Sequence, residues 1–335
     1  MIARVASLAA AALAAALLLA AVLTLTGYDA VPALAALWSG ALGWATLVRA
    51  TPLILTGLAV AIAFRAGIWN IGAEGQLLAG ATAAAAVGLA VPGVVALPLA
   101  LIAGAAAGAA WAGIAAWLRR RFHVLEVIST IMLNFLAAYG VAYLVRGPLQ
   151  EPLHIYPQTA TLPPTMRLPV LVPQSRLHAG LAIAVAAALV AWWVVHYTAP
   201  GFRLRAAGAN PFAAASAGLI NVTSAMTGAF LASGALAGLA GAIEVTGVTY
   251  ALYENISPGY GYTAIAVALL AGLEPLAVIP VGILFGALEA GAGAMQRDAG
   301  VPSVIVSVVE AALILVFLVP RWIPRWRVRP RASAA

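Results

Sequence analysis

Long apolar runs bounded by arginine and glycine decide what this chain can become. Val5 to Thr26 holds no charged residue, and comparable runs cover 72–91, 94–118, 124–146, 179–197, 223–247, 276–296 and 302–319. Inside a bilayer every backbone N–H and C=O must be satisfied within the protein, which leaves helices or closed barrels. A barrel would alternate polar and apolar residues in segments of about ten. These runs are continuous, and most approach the roughly 20 residues that a helix needs to cross. The first also exceeds the roughly 7–15 residues of a signal-peptide core, so it reads as a retained span. With 64% hydrophobic and 8% charged residues, against about 25% charged in soluble domains, a soluble fold is excluded. Two further runs, 51–64 and 260–273, are too short to cross as straight helices and adjoin glycines. The expectation is an all-α polytopic integral membrane protein, a single domain over 1–335. It would have about ten transmembrane helices, interrupted near 64–76 and 256–263.

All 17 basic residues are arginine, and their placement orients the bundle. Arg4, Arg119–Arg121, Arg203, Arg205 and the tail arginines Arg321, Arg325, Arg327, Arg329 and Arg331 fall on one side. Arg49, Arg146, Arg167, Arg176 and Arg297 fall on the other. The positive-inside rule then puts both termini in the cytoplasm. It makes 147–178 an external loop, 200–222 a cytoplasmic segment and 321–335 a basic cytoplasmic tail. The net charge of +7 is thereby topological and does not imply nucleic acid. Without lysine there is no P-loop, whose lysine holds the phosphates, and no Schiff-base chemistry. Without cysteine there is no thiolate nucleophile, disulfide or iron–sulfur ligation. If nucleotide drives this protein, another chain binds it.

The histidines form no HExxH motif or i,i+4 pair, no GxSxG occurs, and the carboxylates are scattered, so no catalytic constellation assembles. Polar residues gather instead at four places. In "FRAGIWNIGAEGQ" (64–76), Arg65, Asn70, Glu74 and Gln76 stand among Gly67, Gly72 and Gly75. This is either a discontinuous helix lining a path or an interfacial turn, since irregular backbone at membrane depth needs protein or water over it. In 125–140, Ser129, Thr130 and Asn134 share one helical face, for interhelical hydrogen bonds or for a pore lining. In 200–225, Asn210 caps and Pro211 opens a short helix, either a docking element or an ordinary loop. In 241–275, Glu244 lies near the outer end of a span. Tyr250, Tyr253, Tyr260 and Tyr262 there suit the interfacial aromatic belt or stacking on a ligand, and Pro258, Gly259 and Gly261 break the chain. Paired breaks in two halves point to a midplane transport site. The pairs Gly104/Gly108, Gly234/Gly238 and Gly282/Gly286 allow close helix approach, although chance also makes such pairs in so alanine-rich a chain.

Four stretches carry a family resemblance: "WNIGAEGQLLAGA" (69–81), "EVISTIMLNFLAAY" (126–139), "RAAGANPFAAASAGLIN" (205–221) and "SPGYGYTAIAVALLAG" (257–272). In this order, across essentially the whole chain, they resemble permease subunits of bacterial ABC importers. The group is the ribose-type family, nucleoside and simple-sugar branch, paired with basic-membrane-protein-like lipoproteins. Trp69 stands where a smaller aromatic is expected, and Ala209 where a larger apolar residue precedes Asn-Pro; Trp69 would narrow the pocket or change substrate choice.

The resemblance implies a non-catalytic subunit in the bacterial cytoplasmic membrane that moves nucleosides or related simple sugars by alternating access. It implies an ABC ATPase partner, often a double cassette, which binds ATP and Mg while this chain binds no cofactor. It also implies an external substrate-binding lipoprotein and a second homologous permease, with a heterodimer favoured over a homodimer. Path residues would be Asn70, Glu74, Gln76, Asn134, Glu244 and Tyr260. Coupling to the ATPase would fall on Arg205, Gly208, Asn210, Pro211 and Gly218. The alternatives are a permease for ribose or galactose, and an ion-coupled secondary transporter using Glu244 or Glu289. An integral membrane enzyme is disfavoured for want of a catalytic constellation.

Overall fold

Caps and breaks in the sequence set the helix ends. Asp29 accepts the Val31 N–H at 3.1 Å and starts α1, Ala30–Ala41, in a stretch where the apolar runs predicted no element. After Gly43, α2 runs Trp44–Arg65 and contains Pro52. It is therefore longer than the expected 51–64. The helix continues through Pro52 to include Arg49, which gains a carboxylate partner on another helix. α3 is Ala73–Ala90, α4 Ala96–Phe122 and α5 Glu126–Val145. α6 is Gly180–Tyr197, α7 Ala199–Ala209 and α8 Pro211–Ser216. α9, Val222–Glu244, ends in a π-helical turn at Val245–Thr249. α10 is Tyr260–Leu270 and α11 Pro275–Ala299.

The structure, a computed structural model, describes residues 19–302 except 217 and 219, together with 17, 304, 305, 307 and 308. Among these residues there is no strand, only isolated bridges between Gln158 and Tyr253 and between Val170 and His178. Six helices are long and apolar enough to cross a membrane: Trp44–Arg65, Ala96–Phe122, Glu126–Val145, Gly180–Tyr197, Val222–Thr249 and Pro275–Ala299. Ala30–Ala41 and Tyr260–Leu270 are shorter apolar helices. The protein is thus an all-helical polytopic membrane protein. The runs at 5–26 and 302–319 lie largely, and the tail at 321–335 wholly, outside the described residues.

Glycine brings the central helices into backbone contact. α9 packs against α2, α3 and α4. A Cβ on Gly238 would collide with the Gly104 carbonyl, one on Gly108 with the Gly234 carbonyl, and one on Gly80 with the Gly238 carbonyl. Gly282 lies against Ile54, and Gly286 against the backbone of Thr46 and Ala50, where α11 meets α2. All three GxxxG pairs therefore mark tight contacts. Such approach gathers dispersion and weak Cα–H···O contacts that bulkier residues would prevent.

Arg119–Arg121, Arg65, Glu274 and α7 lie at one end of the bundle. There Arg65 Nη1 reaches Glu274 Oε2 at 3.0 Å and the Leu273 carbonyl at 3.1 Å. The 147–178 segment covers the opposite end. Its backbone N–H groups at Thr159, Leu162 and Leu168 donate to the carbonyls of Leu252, Tyr250 and Thr246 at 2.7–2.9 Å. Arg146 pairs with Glu254 there.

Candidate functional site

Between α2 and α3 the chain runs non-helically from Ala66 to Gly72 and then restarts as a helix at membrane depth. Helix starts leave N–H groups without intrahelical acceptors, and this one is buried. Asn70 solves much of the problem. Its Oδ1 accepts the Gly72 N–H at 2.8 Å and a Gln76 Nε2 hydrogen at 3.0 Å. Its Nδ2 donates to Gln76 Oε1 at 3.0 Å and to Ser233 Oγ on α9 at 2.8 Å. Asn134 reaches across from α5: its Oδ1 accepts the Gly75 N–H at 2.8 Å, and its Nδ2 donates to the Ile71 carbonyl at 2.9 Å. Ser129 and Thr130, on the same face, bond only carbonyls of their own helix turn. Asn70, Gln76, Asn134 and Ser233 are all buried. These amides hold the broken helix together, and on the polar face of α5 it is Asn134 that bonds between elements.

The second break meets the first. α10 spans only 11 residues, about 16 Å at 1.5 Å per residue, roughly half the hydrocarbon thickness. Just beyond its far end the Leu273 carbonyl is bonded by Arg65 at the arginine-rich end of the bundle, so its N-terminus lies about 16 Å into the bundle from that end. Ser257 Oγ accepts the N–H groups of Gly259 and Tyr260 at 3.1 Å each. Glu74 Oε2, in the first turn of α3, accepts the Gly261 N–H at 2.7 Å. A carboxylate thus lies between two helix N-termini, whose partial positive charges favour it. The junction is tight, because a Cβ on Gly261 would strike the Glu74 backbone.

Beside the start of α10 opens a cavity of about 610 Å³, in the range of small-molecule sites. Its walls include Arg49, Glu244, Tyr250, Tyr253, Asn255 and Tyr260. Glu244 and Tyr260 are each 5% exposed. Arg49 Nη1 stands 3.6 Å from Glu289 Oε2 on α11. In the sequence Arg49 reads as a span-end topological charge; here it is a wall residue, and only its distant partner Glu289 could have signalled this. The structure separates the expected path residues. Asn70, Gln76, Asn134 and Glu74 form the junction, whereas Glu244 and Tyr260 line the cavity. Trp69 does not narrow this cavity. It is 57% exposed and packs on Phe64, with ring centroids 5.0 Å apart.

At the arginine-rich end, Asn210 Oδ1 accepts the Ala213 N–H at 3.0 Å and starts α8 at Pro211. Arg205 Nη1 bonds the Val195 carbonyl in the last turn of α6. Gly208 packs so closely on the end of α2 that a Cβ would collide with the Arg65 carbonyl, and Gly67, at the first break, lies against Gly208. Phe202 and Phe212 are exposed, at 58% and 84%. Gly218 has positive φ (+70°) with open space around its Cα. Among the described residues no group of three or more His, Cys, Asp or Glu is placed to hold a metal ion.

Residues 43–318 match the family described as "Branched-chain amino acid transport system / permease component". The chain is 42% identical over 305 residues to the guanosine ABC transporter permease protein of Bacillus subtilis (strain 168), covering 88% of this chain and 87% of that one. It is 41% identical over 297 residues to the glucose ABC transporter permease protein of Haloferax volcanii, covering 84% and 77%. It is 33% identical over 310 residues to the nucleoside ABC transporter permease protein of Lactococcus lactis subsp. cremoris, covering 88% and 85%. No solved structure matches the chain.

Proposed function

The chain belongs to the branched-chain amino acid transport system / permease component family and is an ABC transporter permease; on that premise we propose that it forms an import path for nucleosides, with the tyrosine-lined cavity as its outer half. As a permease it is a transport component, not a catalyst, and works with an ATPase and a substrate-binding protein. In our reading the ATPase is a double cassette that binds ATP and Mg, the second permease is a homologous chain, and the assembly sits in the bacterial inner membrane. Both termini are cytoplasmic, so the end bearing Arg119–Arg121 faces the ATPase and the 147–178 loop faces outward.

The observation that carries this reading is the Glu74–Gly261 junction, where two interrupted helices meet beside the cavity. Midplane sites built from half-helix N-termini are a recurring transporter arrangement. A mechanical link runs from the coupling segment to this junction. Cassette motion acts on Arg205, Asn210, Pro211, Gly218 and the exposed Phe212; Gly208 passes it to Arg65 and Gly67; and Gly67 leads into the break. A solute shifts such an equilibrium only by its differential affinity for the two states. The junction amides are occupied by one another, so solute contacts fall to the cavity wall.

Guanosine and nucleoside relatives support the nucleoside reading, and the glucose relative favours a hexose as the second reading. Proteoliposomes holding the full assembly and its binding protein should accumulate labelled guanosine when supplied with ATP. Accumulation of glucose with no uptake of any nucleoside would establish the hexose reading instead.

A further inference from the structure

Glu244 ends α9 with its carboxylate on the cavity wall, 5% exposed. Among the described residues no group donates a hydrogen bond to its carboxylate; only its backbone carbonyl accepts one, from the Thr249 hydroxyl. The nearby Arg49 forms an ion pair with Glu289 at 3.6 Å and acts on Glu244 through space without bonding it. A buried carboxylate without hydrogen-bond donors is unfavourable, whereas the other buried acid, Glu74, has its donor. In its ionised form Glu244 offers the cavity a strong acceptor with two oxygens that no donor of the protein occupies. Tyr253 and Tyr260 stand on the same wall. The ring of Tyr250 is occupied, because the Arg167 guanidinium lies 4.5 Å above it.

A carboxylate is matched by two neighbouring donors in one plane, as in charge-assisted bidentate pairs. Of the common nucleobases, guanine alone presents two adjacent donors, N1–H and N2–H, on its pairing edge. Adenine offers a donor beside an acceptor, uracil a donor between two carbonyls, and cytosine one donor group beside two acceptors. We propose that Glu244 accepts N1–H and N2–H of a guanine-type nucleoside whose ring lies against Tyr253 or Tyr260, making Glu244 the residue that reads the base. This rests on the nucleoside reading above and adds base selectivity to it.

The test uses the permease–ATPase assembly in lipid nanodiscs without the external binding protein, so that the receptor cannot supply the selectivity. Ligand-observed NMR titrations measure guanosine and adenosine. Wild type should bind guanosine at least about tenfold more tightly than adenosine, as one bidentate pair provides. In Glu244→Gln, whose amide offers one donor and one acceptor, the ratio should fall to within about threefold of unity. On wild type alone, 1-methylguanosine, which lacks N1–H, should bind about tenfold more weakly than guanosine, whatever the stability of the variant. An unchanged ratio in Glu244→Gln, equal weakening of both nucleosides, or equal binding of guanosine and its 1-methyl derivative would each overturn the assignment. If wild type binds both nucleosides alike, only the base reading fails. If it binds neither, the nucleoside reading fails with it.

Discussion

Glu74 shows how a carboxylate is accommodated at membrane depth: its Oε2 accepts an N–H that helix geometry would otherwise orphan, at the start of α10. Glu74→Ala leaves the Gly261 N–H buried and unbonded, a loss of about 1–3 kcal/mol. The solubilised permease should melt at lower temperature and import should fall, whereas Glu74→Gln, which keeps an acceptor oxygen, should retain most of the stability. An alanine variant that melts like wild type would show that the bond contributes nothing. His178, in the loop before α6, gives a pH test. Its Nδ1 accepts the Gly180 N–H at 3.1 Å, its Nε2 has no partner among the described residues, and burial lowers its pKa from 6.5 to about 4. Between those values the unfolded chain takes up a proton that the folded chain refuses. The stability supplied by this site is therefore complete above pH 6.5 and declines as pH falls toward about 4. Melting temperatures should drop across that window in wild type, and His178→Gln should flatten the drop; parallel curves would contradict it. Asn70, Glu74, Gln76 and Asn134 were legible in the sequence because polar groups in an apolar run need partners. Arg49 was not, because an arginine at the edge of an apolar run reads equally as a topological charge.

Helices α3, α4 and α9 meet through Gly80, Gly104, Gly108, Gly234 and Gly238, with carbonyls where side chains would otherwise be. Gly238→Leu should prevent the helices from closing and abolish recovery of the folded permease. Gly140→Ala on α5, where nothing lies within 4 Å of an added Cβ, should be neutral or stabilise by up to about 1 kcal/mol. Fluorescence-detected size exclusion checks both, and a monodisperse Gly238→Leu protein would refute the seam. The GxxxG spacing made these contacts legible as candidates, but spacing alone could not separate contact from chance in an alanine-rich chain. The breaks at 64–76 and 256–263 were legible from glycine and proline. Their meeting was not, since nothing local in the sequence pairs Glu74 with Gly261. α1 escaped notice because it is short, and α2 runs past the expected start at 51 because a transmembrane helix continues through proline when its neighbours satisfy the freed groups.

At the scale of the whole molecule, one line of contacts joins the two ends of the bundle. It runs from α7 through Gly208 to Arg65 and Gly67, along the first break to Glu74, and across Gly261 to Tyr260 and the cavity. Arg65 also bonds the Leu273 carbonyl and Glu274, at the far end of α10, so both ends of that helix are tied to the same break. If the cavity is the outer half of the import path, it opens outward in one state of the cycle and closes in another. The chain has no cysteine, so Tyr253→Cys places its single thiol on the cavity wall, and labelling is read on this chain alone. The deciding measurement is its rate of labelling by a membrane-impermeant maleimide added outside, in reconstituted assembly, nucleotide-free and vanadate-trapped. The rates should differ by at least about tenfold between the two states, the size of a substantial population shift. Equal rates in both would contradict it.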